Sequence, residues 1–70
     1  MKYLIILEKS KTGYSAYSPD LPGCVSSGRT AQEAEKNMQE AIGFHLEGMR
    51  EEGLDLPVPA ARVSFYEVNL

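Results

Sequence analysis

The sequence has too few cysteines and histidines to build several common kinds of site. Its 70 residues include one cysteine, one histidine and no tryptophan. A single cysteine forms no internal disulfide, which agrees with a reducing compartment. One histidine supplies neither a metal-binding cluster nor a nucleophile–base pair. We therefore predict a chain without a bound metal, without a cofactor and without disulfide bonds.

Long apolar segments are also absent. A membrane-spanning helix needs about 20 consecutive apolar residues, whereas the most apolar run, YLIIL, occupies only residues 3–7. Glu8 and Lys9 follow this run at once, so the N-terminus does not match a signal peptide, which needs a longer apolar region and a small-residue cleavage site. These features predict a cytoplasmic protein that does not contact a membrane.

Basic residues are outnumbered by acidic ones. The chain has seven Lys and Arg against ten Asp and Glu, which gives a net charge of −3 and a pI of about 5.0. Nucleic-acid-binding domains usually present a basic patch or stripe. We therefore do not expect this chain to bind DNA or RNA directly.

The acid surplus is concentrated in residues 31–52, where six acids stand against two bases. The rest of the chain has four acids and five bases. Two interpretations remain open: a solvated helix surface, or a surface complementary to a basic partner, whose association it would accelerate. Under the second interpretation, Glu40 and Glu47 are the candidate partner-binding residues.

Three short strands are predicted in the first part of the chain. Tyr3–Leu7 is rich in isoleucine and tyrosine, which is typical of a strand buried on much of both faces. Gly13 closes a hairpin turn, and the side chains of residues 14–18 alternate in a second strand. Residues 24–27 form a third short strand, which we expect to pair antiparallel.

A fixed turn is predicted between the second and third strands, within the segment PDLPGC. Pro19 disfavours helix at the preceding residue, which is pushed to extended geometry. Pro22 presets its own φ, and Gly23 accepts a positive φ at no steric cost. Asp20 joins this set of structural residues as a turn-capping carboxylate.

One long helix is predicted to begin after Thr30. Thr30 and Glu33 match a capping box, in which Thr30 accepts from an early backbone N–H and Glu33 reaches back. Gly53 is the candidate C-terminal cap. An apolar stripe recurs at helical spacing between these caps, with Phe44 well off it. The stripe consists of Ala34, Met38, Ala41, Ile42, His45 and Met49, with Leu46 on one side.

A fourth strand is predicted at Ala61–Val68, after a linker at residues 54–59 whose prolines forbid helix and interior strand. The order β-β-β-α-β in one domain, residues 1–70, predicts an α+β fold: a small antiparallel sheet of about four strands with one long helix packed on one face. The opposite face then lacks a cover, which predicts a homo-oligomer with two-fold symmetry. Depending on the register, that face carries Leu4, Ile6, Tyr17, Tyr66 and Val68.

Cys24 and His45 are the remaining side chains with chemistry of their own. Cys24 lacks an activating partner, which favours a small buried residue over a nucleophile. His45 lies in the apolar stripe, which favours a half-buried histidine bonded to a strand backbone or a turn; the weaker alternative is a hydrogen bond that holds the PDLPGC turn. The motifs HExxH, CxxC, the phosphate-binding loop and GxSxG are absent. We therefore predict no catalytic residue and no enzyme activity.

Three motifs together resemble the HicB antitoxins of bacterial and archaeal HicA–HicB toxin–antitoxin pairs. They are PDLPGC at residues 19–24, GRT at residues 28–30, and EEGLDLPVP at residues 51–59, after the helix. The resemblance runs from Lys2 through the strand after Pro59. It implies a partial ribonuclease H-like fold and, as partner, a HicA-like toxin, a small basic RNA-cleaving protein whose active surface the antitoxin blocks.

The likeness to ribonuclease H does not imply catalysis. That chemistry needs several carboxylates that converge on metal ions, and nothing in the spacing of Glu8, Asp20 and Glu67 brings them together. Many HicB proteins carry a C-terminal DNA-binding segment, which is not expected here, so the resemblance is to a short form. Two functions remain open: an antitoxin, or an orphan HicB-like ligand-binding or accessory module that uses the loop around Asp20 and Cys24.

Overall fold

The computed structural model describes residues 1–70 and contains one sheet and one helix. The strands are β1 (Ile6–Lys9), β2 (Tyr14–Tyr17) and β3 (Val25–Gly28), and the helix is α1 (Ala31–Glu51). The sheet is antiparallel throughout, with the order β1-β2-β3. The predicted α+β class, a small antiparallel sheet with one long helix on one face, is confirmed.

The strand register decides which side chains face the helix. Leu7 pairs with Ala16, and both contribute to the core beneath α1. Ile6 pairs with Tyr17, and Tyr17 pairs with Val25. Because successive side chains of a strand point to opposite faces, this second row lies on the face away from the helix.

β1 begins at Ile6, three residues later than predicted. Ile6 pairs with Tyr17, the last residue of β2. Pro19 follows closely and ends the strand, since a proline donates no backbone hydrogen bond. Residues 3–5 therefore have no strand opposite them, although Tyr3 and Ile5 still pack against the core.

The core is small and lies between α1, β2 and the turn that follows β2. Leu21 and Met38 are fully buried, and Leu21 comes from the PDLPGC segment. Two hydrogen bonds shape this segment: Leu21 N–H donates to the carbonyl of Ser18 and Cys24 N–H to the carbonyl of Leu21, each at 3.1 Å. The buried apolar residues are Ala16, Leu21, Cys24, Ala34 and Met38.

Thr30 stands at the N-cap of α1 in an extended conformation. Its Oγ1 accepts a hydrogen bond from the Glu33 N–H at 3.1 Å. The Glu33 carboxylate accepts from the Arg29 N–H at 3.3 Å, not from the Thr30 N–H as the capping-box pattern predicts. The carboxylate therefore satisfies a donor one residue further from the helix.

We expect Thr30→Ala to lower the free energy of unfolding by about 1 kcal/mol, because the Glu33 N–H loses its acceptor at an exposed helix end. Thr12→Ala is the matched control, since Thr12 is exposed and lies in the hairpin between β1 and β2. Chemical denaturation of both variants checks this. Equal midpoints for Thr30→Ala and the native protein would contradict the cap assignment.

The C-terminal end of α1 is closed by a paired hydrogen-bond pattern around Gly53. Leu54 N–H donates to the Met49 carbonyl at 2.9 Å, and Gly53 N–H donates to the Arg50 carbonyl at 3.0 Å. Gly53 has a φ of 73°, a value that a side chain disfavours. The pattern is a Schellman motif, which satisfies helix carbonyls that would otherwise lack a partner.

The predicted fourth strand does not form within this chain. Residues 54–70 contain no helix or strand, and Tyr66 and Val68 are exposed and do not join the sheet face. A strand needs a neighbouring edge for its backbone hydrogen bonds. The radius of gyration is 13.9 Å and the longest dimension is 50 Å, whereas a compact chain of this length has a radius of about 11 Å.

Two hydrogen bonds hold the first half of this C-terminal segment. The Tyr3 hydroxyl donates to the Pro57 carbonyl at 2.5 Å, and the Ala61 N–H donates to the Asp20 carboxylate at 3.2 Å. The first bond links the segment to the residues before β1, and the second links it to the turn after β2. The tail, defined as residues 62–70, extends beyond this second anchor.

Candidate partner-binding surface

The exposed side of α1 carries an acidic patch built around an aromatic ring. Glu40, Phe44 and Glu47 are spaced four and three residues apart, which places them on one side of a helix. Together with Gly43 they line a shallow depression. The Phe44 side chain is 76% exposed. Aromatic residues are enriched at protein–protein interfaces, which makes the exposed ring of Phe44 a candidate contact.

A second depression adjoins the acidic patch through Phe44. It connects α1 to the start of β3, where Val25 is also largely exposed. We call the combined area the Phe44 surface; it runs from the PDLPGC turn to the acids of the helix. The residues of the second depression are Gly23, Cys24, Val25, Ala41, Phe44 and His45.

The charge pattern of the sequence indicated Glu40 and Glu47, whereas Phe44 and Val25 were not predicted as contact residues. One signal for Phe44 was present, since it is a large aromatic residue that falls outside the apolar stripe of the helix. Such a residue has no place in the core and must either be covered by a partner or remain exposed. No local pattern marked Val25, because its exposure results from its place in the row of side chains that faces away from the helix.

Cys24 agrees with its prediction, whereas His45 agrees only in its degree of burial. Cys24 is buried at 5% exposure, and this burial raises the pKa of its thiol above the ordinary value for cysteine. A thiol that stays protonated is a poor nucleophile. His45 is half-buried as predicted, but the predicted hydrogen bond to a strand or turn is wrong: the ring contributes to the lining of the second depression instead.

The PDLPGC residues serve the shape of the turn and the attachment of the tail. Pro19 and Pro22 are exposed, and Asp20 is half-buried. Gly23 has a φ of 82°, which a side chain disfavours. The Asp20 carboxylate is occupied by the Ala61 N–H. The turn therefore offers no accessible thiol to a small ligand, and one oxygen of its carboxylate is bonded to the backbone.

The three carboxylates that were weighed for metal catalysis are placed in different settings. Glu8 is exposed on β1, Asp20 binds the backbone of Ala61, and Glu67 is exposed in the tail. No group of three or more His, Cys, Asp and Glu side chains is arranged to hold a metal ion. α1 is not apolar enough to cross a membrane.

The fold is a small α+β domain whose helix carries an exposed aromatic residue between two acids. Comparison with known proteins names its family: residues 3–68 match the family described as the HicB-like antitoxin of bacterial toxin–antitoxin systems. The chain belongs to this family. As a member of an antitoxin family it is not an enzyme.

Relatives occur in a phage and in archaea. The chain is 51% identical over 57 residues to an uncharacterised 14.9 kDa protein of Haemophilus phage HP1, covering 81% of this chain and 43% of that protein. It therefore spans less than half of the phage protein. It is also 38% identical over 58 residues to a UPF0150 protein of Thermoplasma acidophilum, covering 81% and 84% of the two chains.

A solved structure shares the fold. It is titled the HicA3 and HicB3 toxin–antitoxin complex, and one of its chains matches with a TM-score of 0.72 and 37% identity. The match covers 86% of this chain and 70% of the other. The resemblance that the PDLPGC, GRT and EEGLDLPVP motifs indicated is confirmed.

Proposed function

We propose that this chain is an antitoxin that binds a small basic HicA-type toxin and neutralises its RNA cleavage. The observation that carries the proposal is the match, over most of the chain, to a chain of a solved toxin–antitoxin complex. The antitoxin acts by covering the toxin's RNA-cleaving surface and does not itself bind nucleic acid. The encounter takes place in the cytoplasm, where the single free cysteine is stable.

The Phe44 surface is the proposed contact area. A toxin that binds RNA presents basic residues to the phosphate backbone, and Glu40 and Glu47 supply the opposite charge. Between the two acids, the exposed ring of Phe44 provides apolar area that gains free energy when water is excluded. Charge then accelerates the encounter, and the aromatic ring slows dissociation.

The alternative function, an orphan ligand-binding or accessory module, gains no support from the loop on which it rests. The Asp20 carboxylate accepts a backbone hydrogen bond, and Cys24 is buried. The self-association expected from the sequence is retained as part of the proposal, because Tyr17 is 39% exposed on the sheet face away from the helix.

We expect the double variant Glu40→Lys/Glu47→Lys to bind the toxin with an association rate about tenfold lower at low salt, since steering by opposite charges is lost. Raising the ionic strength shortens the Debye length, so the native association rate is expected to fall with salt while that of the variant changes little. Stopped-flow mixing with the purified toxin measures both rates.

Glu35→Lys is the matched control for this experiment. Glu35 is exposed, but it lies five residues before Glu40 and therefore on another side of the helix. An association rate that does not depend on salt, or an equal loss in the control, would contradict steering by the Phe44 surface. Strand pairing at a sheet edge would then be the remaining mode of contact.

Co-expression tests the function itself. A HicA-like reading frame beside this gene is expressed alone and together with this chain. We expect growth arrest with the neighbour alone and normal growth with the pair. Persistent arrest despite expression of the folded chain would contradict the antitoxin proposal.

A further inference from the structure

We propose that the depression at Gly43 is the binding site for an arginine side chain of the basic partner. The guanidinium lies over the ring of Phe44 and between the carboxylates of Glu40 and Glu47. The apolar stem of the arginine crosses the helix backbone at Gly43. The inference deepens the proposed function and rests on it for the identity of the partner, a basic toxin.

Four residues of α1 line this depression: Glu40, Gly43, Phe44 and Glu47. The two acids are seven residues apart, so their Cα atoms are separated by about 10.5 Å along the helix axis. Gly43 and Phe44 lie between them. An acid therefore stands at each end of the depression and the aromatic ring borders one side, while the floor at Gly43 is helix backbone without a side chain.

The carboxylates of the depression have no hydrogen-bond partner within this chain. Neither Glu40 nor Glu47 accepts a hydrogen bond, although Lys36 and Arg50 lie about one helical turn away from them. Phe44 is 76% exposed, and the face of an aromatic ring attracts a cation placed over it. The complementary group is therefore a cation carried on an apolar stem.

Arginine fits this arrangement better than lysine. Its guanidinium is planar, stacks on aromatic rings and presents five N–H donors in a fixed fork, whereas an ammonium is a compact and strongly hydrated charge. Carboxylates on two sides can accept hydrogen bonds from different edges of the same guanidinium. A protein that binds the phosphate backbone of RNA carries arginine for that purpose. An arginine held at this site is withdrawn from RNA.

Gly43 keeps the floor of the site open. A glycine in a helix interior is less favourable than an alanine, and a Cβ at Gly43 would meet no atom of this chain within 4 Å. Packing within the chain therefore does not require a glycine here. Gly43 also borders a third depression, so the backbone is accessible from both sides. The other residues of the third depression are Leu46, Glu47, Arg50, Glu51 and Leu56.

Gly43→Ala and Gly48→Ala form a matched pair. A Cβ at Gly48 also meets no atom within 4 Å, but Gly48 lines none of the depressions. We expect both variants to unfold at a higher denaturant concentration than the native chain, because alanine favours helix. We expect only Gly43→Ala to bind the purified toxin more weakly, by about tenfold, since its methyl group lifts the arginine stem off the backbone. Titration calorimetry measures the affinities.

A small ligand tests the arginine site without the toxin. N-acetyl-arginine amide is titrated into the isotope-labelled native chain, with N-acetyl-citrulline amide as its neutral counterpart, and the backbone amides are followed by NMR. We expect the arginine ligand to shift the amides of Gly43, Phe44 and Glu47 saturably at millimolar concentration, and the citrulline ligand to leave them unchanged. We expect the shifts to persist in Gly48→Ala and to weaken in Gly43→Ala.

The two experiments separate the arginine site from the antitoxin function. Absent shifts, equal shifts with both ligands, or equal toxin affinity of Gly43→Ala and Gly48→Ala would each overturn the arginine site. Inhibition of the toxin by the native chain would leave the antitoxin proposal standing in those cases. Saturable arginine shifts at Gly43 without inhibition of the toxin would support the site and contradict only the antitoxin proposal.

Discussion

Gly28→Ala is expected to lower the free energy of unfolding by about 3 kcal/mol, at the upper end of the range for overpacking. A Cβ at this position would lie 2.5 Å from the backbone nitrogen of Ala34 and 2.9 Å from the carbonyl carbon of Glu33. These are backbone atoms of the first helical turn, so no side chain can rotate away. The last residue of β3 must therefore lack a side chain for α1 to begin where it does.

Gly48→Ala is the control for this substitution. Gly48 lies within α1, and a Cβ there meets no atom within 4 Å. Since alanine favours helix over glycine, we expect a gain of about 0.5–1 kcal/mol. Denaturant unfolding of both variants measures the difference. A Gly28→Ala variant as stable as the native chain would contradict the close approach of β3 and α1.

Phe44→Ala is expected to weaken toxin binding about 30-fold, which corresponds to about 2 kcal/mol. The ring is exposed in the free chain, and it lies between the acidic patch and the depression that borders β3. An aromatic residue at the centre of a contact area contributes more to affinity than the acids at its rim. The loss should therefore arise mainly from faster dissociation.

Val58→Ala is the matched control, because Val58 is 79% exposed and lies in the segment after the helix. We expect unchanged toxin affinity for this variant and unchanged unfolding midpoints for both variants, which would exclude loss of fold as the cause. Titration calorimetry or stopped-flow dissociation measures the affinities. Equal binding by Phe44→Ala and the native chain would place the toxin contact elsewhere.

Local sequence rules account for the framework of the fold. Thr30 marked the start of the helix because a hydroxyl that caps an N-terminus acts within one turn. The glycine and prolines of PDLPGC marked the turn for the same reason, since their φ preferences are local. The order of three strands and a helix followed from apolar periodicity.

Whether residues 61–68 form a strand could not be predicted from such local rules. Their alternation predicts a strand, yet a strand depends on an edge supplied by other residues or another chain. Within this chain the Ala61 N–H donates a hydrogen bond to the Asp20 carboxylate. The two residues are 41 positions apart in the sequence, so no local pattern predicts this contact. Likewise, the late start of β1 depends on where Pro19 ends β2.

The Phe44 surface could be predicted from the sequence only in part. The acids of α1 were visible as a local surplus of charge, and Glu40 and Glu47 lie together as helical spacing requires. That Val25 adjoins Phe44 depends on how α1 packs over β3. Packing of this kind is a tertiary property, which composition and periodicity do not contain.

Titration of toxin RNA cleavage with this chain is the most direct test of the antitoxin proposal. The purified HicA-type toxin is incubated with RNA and increasing amounts of the folded chain, and cleavage is followed on a gel. We expect cleavage to fall to background once the chain reaches the stoichiometry of the complex, with Phe44→Ala requiring a larger excess. Undiminished cleavage at a large excess of the native chain would contradict the account.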